Sequence, residues 1–402
     1  MAAREKNAEA SKSSMRNVFA LGFVSFFTDV SSEMVFSLLP AFLLVEIGAS
    51  RAVLGVVEGL AESLSYVLRM VSGVISDRFR RRKPLVFIGY ALSTAVKPLF
   101  AVAHTWIEVL AIRISDRVGK GVRTSPRDAL LSESVAEKRM GVAFGLHRTL
   151  DQLGAIIGPL IASALMLFFA FTARDVFWVS FIPGSIALAI LVFLVKEREG
   201  ASRKARLLGD VRRVFSGNFP WLLLSVAVFS LGAFNFSFVL AKAEELNVHV
   251  ALIPIVYAVI NVSHTAVAIP SGVLSDKIGK EKVLIVGYAV FAVSAFLLWA
   301  SNSQWCAFLV AVVYGVYMGI VETVQRALIP KYAPKELRGT AYGLYYLTAG
   351  SCFLVANIVV GALWDTVGIM AAATYSITTT IIAIAGLSLL LLRKPIESKR
   401  KH

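Results

Sequence analysis

Two cysteines are all that the 402 residues contain, and Cys306 and Cys352 both sit inside apolar runs, so neither a disulfide framework nor a cysteine-rich metal site is expected. No metal-ligand cluster is evident, which leaves metal export open but without support. Lys120 stands between two glycines, yet G-x-x-x-x-G-K-[ST] is absent, so no phosphate-cradling loop is read there. A nucleophile triad is missing too, and with it the case for an enzyme or a bound cofactor. A membrane receptor would be expected to show an added sensing domain. No low-complexity segment is seen, and no cleavable signal peptide is expected, because the first sixteen residues are polar and the apolar run behind them is too long. Charge itself is thin. Ionisable residues make up 17% and hydrophobic ones 57%, with a mean hydropathy of +0.72, which excludes an ordinary soluble protein and points to a membrane.

What the sequence does hold is a repeat. Gly73 to Lys83 reads G-V-I-S-D-R-F-R-R-R-K, a charged knot between two apolar runs, and 199 residues later Gly272 to Lys282 reads G-V-L-S-D-K-I-G-K-E-K. Ala143-Phe144-Gly145-Leu146 is echoed 198 residues on by Ala341-Tyr342-Gly343-Leu344. The chain is therefore a duplicated unit. Twelve apolar runs approach the roughly 20 residues needed to cross a bilayer: 17–45, 52–76, 84–103, 105–124, 140–170, 176–195, 219–243, 250–274, 283–301, 305–329, 339–364 and 369–392. The expected fold is all-α and integral to the membrane, with twelve transmembrane helices in two six-helix halves, 1–195 and 219–402, joined by a loop at 196–218. That loop has two readings, a short amphipathic helix on the inner membrane face or a solvated tether.

Orientation follows from the basic residues. Of 41 Lys and Arg, 31 fall in the tails and in one set of loops, and only Arg51, Arg174 and Lys242 fall on the other side. Positive loops stay in the cytoplasm, so both termini are expected inside a multi-pass plasma-membrane protein. The formal charge of +15 then reports topology rather than a nucleic-acid partner.

Two six-span halves in parallel repeat, a cytoplasmic loop between them, and G-x-x-x-D-[RK] after the second span of each half together resemble the major facilitator superfamily. The resemblance covers almost the whole chain. Of its loop motif G-x-x-x-D-R-x-G-R-R, Gly73, Asp77, Arg78, Arg81 and Arg82 match, and Arg80 replaces the glycine. The second copy has Gly272, Asp276 and Lys277 and keeps the glycine as Gly279. The resemblance implies a latch between the cytoplasmic ends of the halves. A plain positive-inside loop would explain the arginines but not the repeated Gly and Asp.

In span five, Gly145, Gly154, Gly158 and Pro159 hold the spacing of the antiporter motif, with Ala162 and Ser163 in place of its final glycines. The resemblance implies a kinked helix with a smooth face; general helix packing is the alternative. Span four carries the densest charge: Arg113, Asp116, Arg117, Lys120, Arg123, Arg127 and Asp128. Ionisable groups at this depth are costly and persist where they face a bundle interior and find partners. Arg113 occupies the arginine of the family's R-x-x-x-G-x-G motif, linked there to proton transfer, while Arg117 replaces its first glycine.

Partners for these cations are at hand. Asp29 and Glu33 share a face of span one at i, i+4 spacing, Glu58 and Glu62 repeat that spacing on span two, and span five adds His147, Arg148 and Asp151. In the family the first and fourth spans of each half line a central cavity, and the third and sixth are outer supports; span three has only Lys97. Asp29, Glu33, Arg113, Asp116, Arg117 and Asp151 are thus the expected proton-coupling and cavity residues, with a static salt-bridge network as the alternative. The second half is mostly apolar, and Asn235, Asn261, Tyr314 and Tyr317 are expected to form its cavity wall; His264 reads as a helix-contact histidine. The resulting expectation is a monomeric secondary transporter, with no cofactor or metal, that exports a small organic compound in exchange for protons. The alternative is proton-coupled uptake of an anionic metabolite, with Arg113 and Arg117 as an anion clamp.

Overall fold

The computed structural model describes residues 2–78, 82–136, 139–197, 214–215, 217–333 and 337–392, and of 2–14, 69–70 and 73–78 the backbone alone. The inter-half loop between 198 and 213 and the two tail ends lie outside the described residues.

Twelve helical spans follow in chain order. Span one is Ala2–Phe36, continued after a break by Leu39–Ala41 and a π-helical turn Phe42–Glu46. Span two is Arg51–Arg78; span three is Lys83–Val96, tightening into a 3-10 helix at Lys97–Val102. Span four is Trp106–Glu133, five is Met140–Phe169, and six is Ala173–Val179 with Phe181–Phe193. Span seven is split into Phe219–Gly232 and Phe236–Glu245. Spans eight to twelve are Ile253–Ile278, Lys280–Ala300, Gln304–Tyr332, Arg338–Thr366 and Ile369–Leu392. Among the described residues ten are long and apolar enough to cross a membrane; spans two and four, both rich in charged residues, are not among them. Span four also runs on from the expected end at 124 to Glu133, because its charged end finds partners within the protein.

Local chemistry sets the ends. Thr105 and Thr172 open spans four and six with capping boxes, each paired with the acid three residues on, Glu108 and Asp175. Gly279, the motif glycine of the second repeat, closes span eight at φ 104°, a conformation that side chains with a Cβ rarely adopt.

The described residues form two compact units. One holds those up to Phe42 and from Leu64 to Glu197; the other holds Leu43–Ser63 and those from Val214 onward. The beginning of span two, although part of the first repeat, therefore packs with the second. Asp365 accepts from the backbone N–H groups of Arg51 and Ala52 at 3.2 and 2.7 Å, capping the exposed donors of that helix start. Arg51 adds a 2.9 Å ion pair to Glu245. Gly361 lies where a Cβ would stand 2.3 Å from the Arg51 carbonyl oxygen.

Candidate functional site

In the first unit, spans one and five pack through glycine. A Cβ on Gly154 would stand 2.5 Å from the Phe26 carbonyl oxygen and 3.0 Å from Asp29 Cβ, and one on Gly158 would stand 2.7 Å from the Val30 oxygen and 3.2 Å from Glu33 Cβ. Two of the glycines expected to smooth span five thus face the acidic turns of span one. Gly145 meets nothing within 4 Å, and Pro159 lies inside a helix that runs on to Phe169.

This close approach brings Asp29 against span five at Gly154, one turn from Asp151, whose carboxylate is held by Ser25, one turn before Asp29. The Asp151 carboxylate accepts from Ser25 Oγ at 2.6 Å and from Arg148 at 2.9 Å. Arg127 reaches Ser25 Oγ at 3.4 Å and pairs with Asp128 at 2.8 Å. A hydrogen bond between two carboxyl groups needs a proton on one of them, since ionised carboxylates only accept.

Span four contributes the second cluster. The i, i+3, i+4 spacing of Arg113, Asp116, Arg117 and Lys120 puts them on adjoining faces, and Arg113, Asp116, Arg117 and Arg123 are all buried. The Arg113 guanidinium lies 3.7 Å from the centroid of the Phe36 ring and that of Arg117 4.9 Å, so one aromatic ring serves two cations. Arg117 Nε is 3.7 Å from Asp116 Oδ2. Arg123 donates to Ser93 Oγ at 2.6 Å and lies 4.5 Å from the Tyr90 ring. Lys97 joins this layer from span three, donating to Ser31 and Ser32 of span one at 2.8 and 3.0 Å. Phe36 and Lys97 were not expected here. For Lys97 the available signal was a single charge inside an otherwise apolar span.

The second unit is built around the break in span seven. Three carbonyl and amide groups freed there find partners: half-buried Tyr375 donates to the Leu231 oxygen at 2.6 Å, buried Tyr314 to the Phe234 oxygen at 2.7 Å, and buried Asn357 Oδ1 accepts from the Asn235 N–H at 2.8 Å. The Asn235 side chain caps the new helix by accepting from the Ser237 N–H at 2.9 Å. Tyr317 packs between Phe291 and Tyr314, with ring centroids 4.7 and 5.1 Å away. Asn261 donates to the Tyr257 oxygen one turn back at 3.2 Å, and both Asn261 and His264 are buried.

The loop motif is only partly visible. Gly73, Asp77 and Arg78 lie on the last turns of span two, seen as backbone, and Arg81 lies outside the described residues. Arg82 forms a 2.8 Å pair with Glu133 at the end of span four. In the second unit Asp276 pairs with Lys280, Lys277 stands in the last turn of span eight, and Gly272 lies near Thr323. Glu281 accepts from both Lys331 and Tyr332 at the end of span ten.

A twelve-span helical protein in duplicate, with broken first and seventh spans and a cluster of ionisable groups buried on span four, has the make-up of a membrane carrier. The sequence matches the Major Facilitator Superfamily over residues 21–239 and 221–402. It is 31% identical over 392 residues to an uncharacterized MFS-type transporter of Methanocaldococcus jannaschii, spanning 96% of this chain and 97% of that one. It is 24% identical over 358 residues to the inner membrane transport protein YajR of Escherichia coli, spanning 82% of this chain and 73% of that protein. The solved structure of the nucleoside transporter NupG matches with a TM-score of 0.79 at 13% identity, over 93% of this chain and 99% of that one. The chain belongs to the major facilitator superfamily, and its activity is secondary transport across a membrane.

Proposed function

We propose that the protein exports a small organic compound in exchange for protons, as a monomer in the cytoplasmic membrane with both termini inside. The approach of Asp29 to span five beside Asp151, at the Gly154 crossing, carries this reading. With a proton between them the two carboxyls hold together; without it two like charges remain. At 4 Å and an effective dielectric near 20, that repulsion is worth about 4 kcal/mol. Because Gly154 and Gly158 leave no side chain between the helices, the repulsion acts on the relative position of spans one and five. Tenfold in a conformational equilibrium takes only about 1.4 kcal/mol, so proton release at this pair can drive a change of access. In the second unit the residues around the span-seven break, Asn235 and Tyr314 with Asn261 and Tyr317, are proposed to shape the wall against which cargo rests.

A second reading, proton-coupled uptake of an anionic metabolite, draws on the two guanidinium groups gathered on Phe36. Transport of a panel of organic cations, neutral compounds and anions in proteoliposomes under an imposed pH gradient separates the two. Under the first reading, proton entry drives efflux of a compound, and Asp29→Asn abolishes that flux in a protein that still folds. Unchanged proton-driven flux in Asp29→Asn refutes the role of the pair.

A further inference from the structure

We propose that Lys97 is a second internal counter-charge of the coupling site, beside the Arg148 that pairs with Asp151 and the Arg127 that reaches Ser25: its ammonium, anchored on span one, helps to balance the buried carboxylates when the Asp29–Asp151 pair gives up its proton. The inference rests on the proton-coupling reading above.

Apart from Lys83 at its first position, Lys97 is the only charged residue of span three, and its side chain is wholly buried. It stands where the α-helix gives way to the 3-10 helix ahead of Pro98. Its two hydrogen bonds go to Ser31 and Ser32, the residues lying between Asp29 and Glu33, and Ser31 Oγ in turn donates a hydrogen bond to the Ser180 carbonyl oxygen of span six. The ammonium is thus fixed on the acidic turn of span one through neutral hydroxyls. A buried ammonium held by hydroxyls alone still needs anions to offset its desolvation. The charged groups facing it are Asp116 and Arg123 on span four and Asp29 and Glu33 on span one. From span six, Arg174 is engaged elsewhere, with the Ala101 carbonyl oxygen and the Phe42 ring. Asp116 Oδ1 is buried and meets no hydrogen-bond partner among the described residues, so that oxygen faces the surrounding cations by field alone.

The duplication shows that the fold does not require this charge. At the offset of 198 that relates Tyr90 to Tyr288, Lys97 corresponds to Ala295, which is equally buried in span nine. A helix in the same position of the repeat is thus packed with a methyl group. The lysine answers instead to the carboxylates that only the first unit places beside it. In the proposed cycle the proton leaves the Asp29–Asp151 pair for water on the open side, and Lys97 keeps its own protons throughout.

The test needs no knowledge of the cargo. An infrared pH titration of the purified protein in lipid nanodiscs follows the stretch of protonated carboxyl groups, and Asp29→Asn identifies the part that belongs to the pair. Lys97→Met keeps the length of the side chain and removes the charge; the midpoint of the Asp29-dependent signal is expected to rise by about one pH unit or more, as for a carboxyl that loses a neighbouring cation. Lys97→Arg is expected to hold the midpoint near wild type. If Lys97→Met does not fold, Ser32→Ala loosens the ammonium without removing charge and is expected to shift the midpoint in the same direction by less. An unshifted or lowered midpoint in the Met variant, or in Ser32→Ala where that variant stands in, overturns the role of Lys97, as does an equal shift in Met and Arg. Absence of any Asp29-dependent signal in the wild type overturns the proton-coupling reading, and this inference with it.

Discussion

Gly154→Ala is the sharpest probe of how spans one and five work together. The added Cβ would stand 2.5 Å from the Phe26 carbonyl oxygen, and ordinary contact begins at 3.4 Å, so the helices must part locally by about 0.9 Å. The obstacle is backbone and cannot rotate aside. Overpacking of this kind costs about 1–3 kcal/mol. Gly145→Ala, on the same helix with nothing within 4 Å, provides the reference. Any gain from replacing glycine in a helix is shared by both variants and cancels between them. Gly154→Ala should therefore be less stable than Gly145→Ala by about 1–3 kcal/mol. It should also weaken the proposed carboxyl pair, because an O–H···O bond needs its oxygens about 2.5–3.0 Å apart and would not survive such a separation. Thermal unfolding of the two purified variants measures the first effect. Proton release after a rapid pH jump, followed with an indicator dye, measures the second. Equal unfolding temperatures together with wild-type proton release in Gly154→Ala would refute the idea that glycine contact sets the acidic pair.

Two further outcomes are expected. Arg82→Glu places a carboxylate beside Glu133 and near Glu197, which already accepts from the Arg82 backbone N–H; it should cost roughly 3 kcal/mol, and adding Glu133→Arg should recover part of that in a denaturation assay. Impermeant thiol reagents should reach cysteines placed at Ala173 and Ser301 from outside intact cells, and one placed at Lys204 only after the membrane is opened, as the basic-loop asymmetry requires.

The twelve spans and the duplication were legible because each depends on composition or on direct repetition along the chain. The ionisable residues of spans one, four and five were legible for a related reason, since a charge in an apolar run stands out wherever it falls. What brings Asp29 to Asp151 was not, because it depends on two glycines of span five meeting two turns of span one, and glycine spacing alone does not say which neighbour it faces. The breaks at 37–38 and 233–235 were hidden by the apolar residues on either side, which read as one run. Asn235 was the available clue, being a residue type that opens helices. The sharing of span two between the units had no local signal, because it rests on Asp365 and Gly361, some three hundred residues away in sequence.

Comparing the halves position by position separates what the fold needs from what transport needs. Both keep a buried tyrosine at the same place, Tyr90 and Tyr288; Arg123 lies over the first, and Gln325 donates to the second at 2.8 Å. Both tie the start of the span that follows the loop motif to the end of the next span, but with opposite polarity: Arg82 to Glu133 in one, Glu281 to Lys331 in the other. A crossed pairing would set Arg82 against Lys331 and Glu281 against Glu133, so like charge opposes confusion of the two loops. The inner layer differs more. At the offset of 198, Arg113, Asp116 and Arg117 correspond to Ala311, Tyr314 and Gly315, and all three replacements sit within an intact span ten. The same helical frame therefore stands with and without the charges. Buried ion clusters add little to stability over well-packed neutral side chains, so the span-four cluster, which span ten lacks at the matching positions, is better explained by the needs of transport than by the needs of folding.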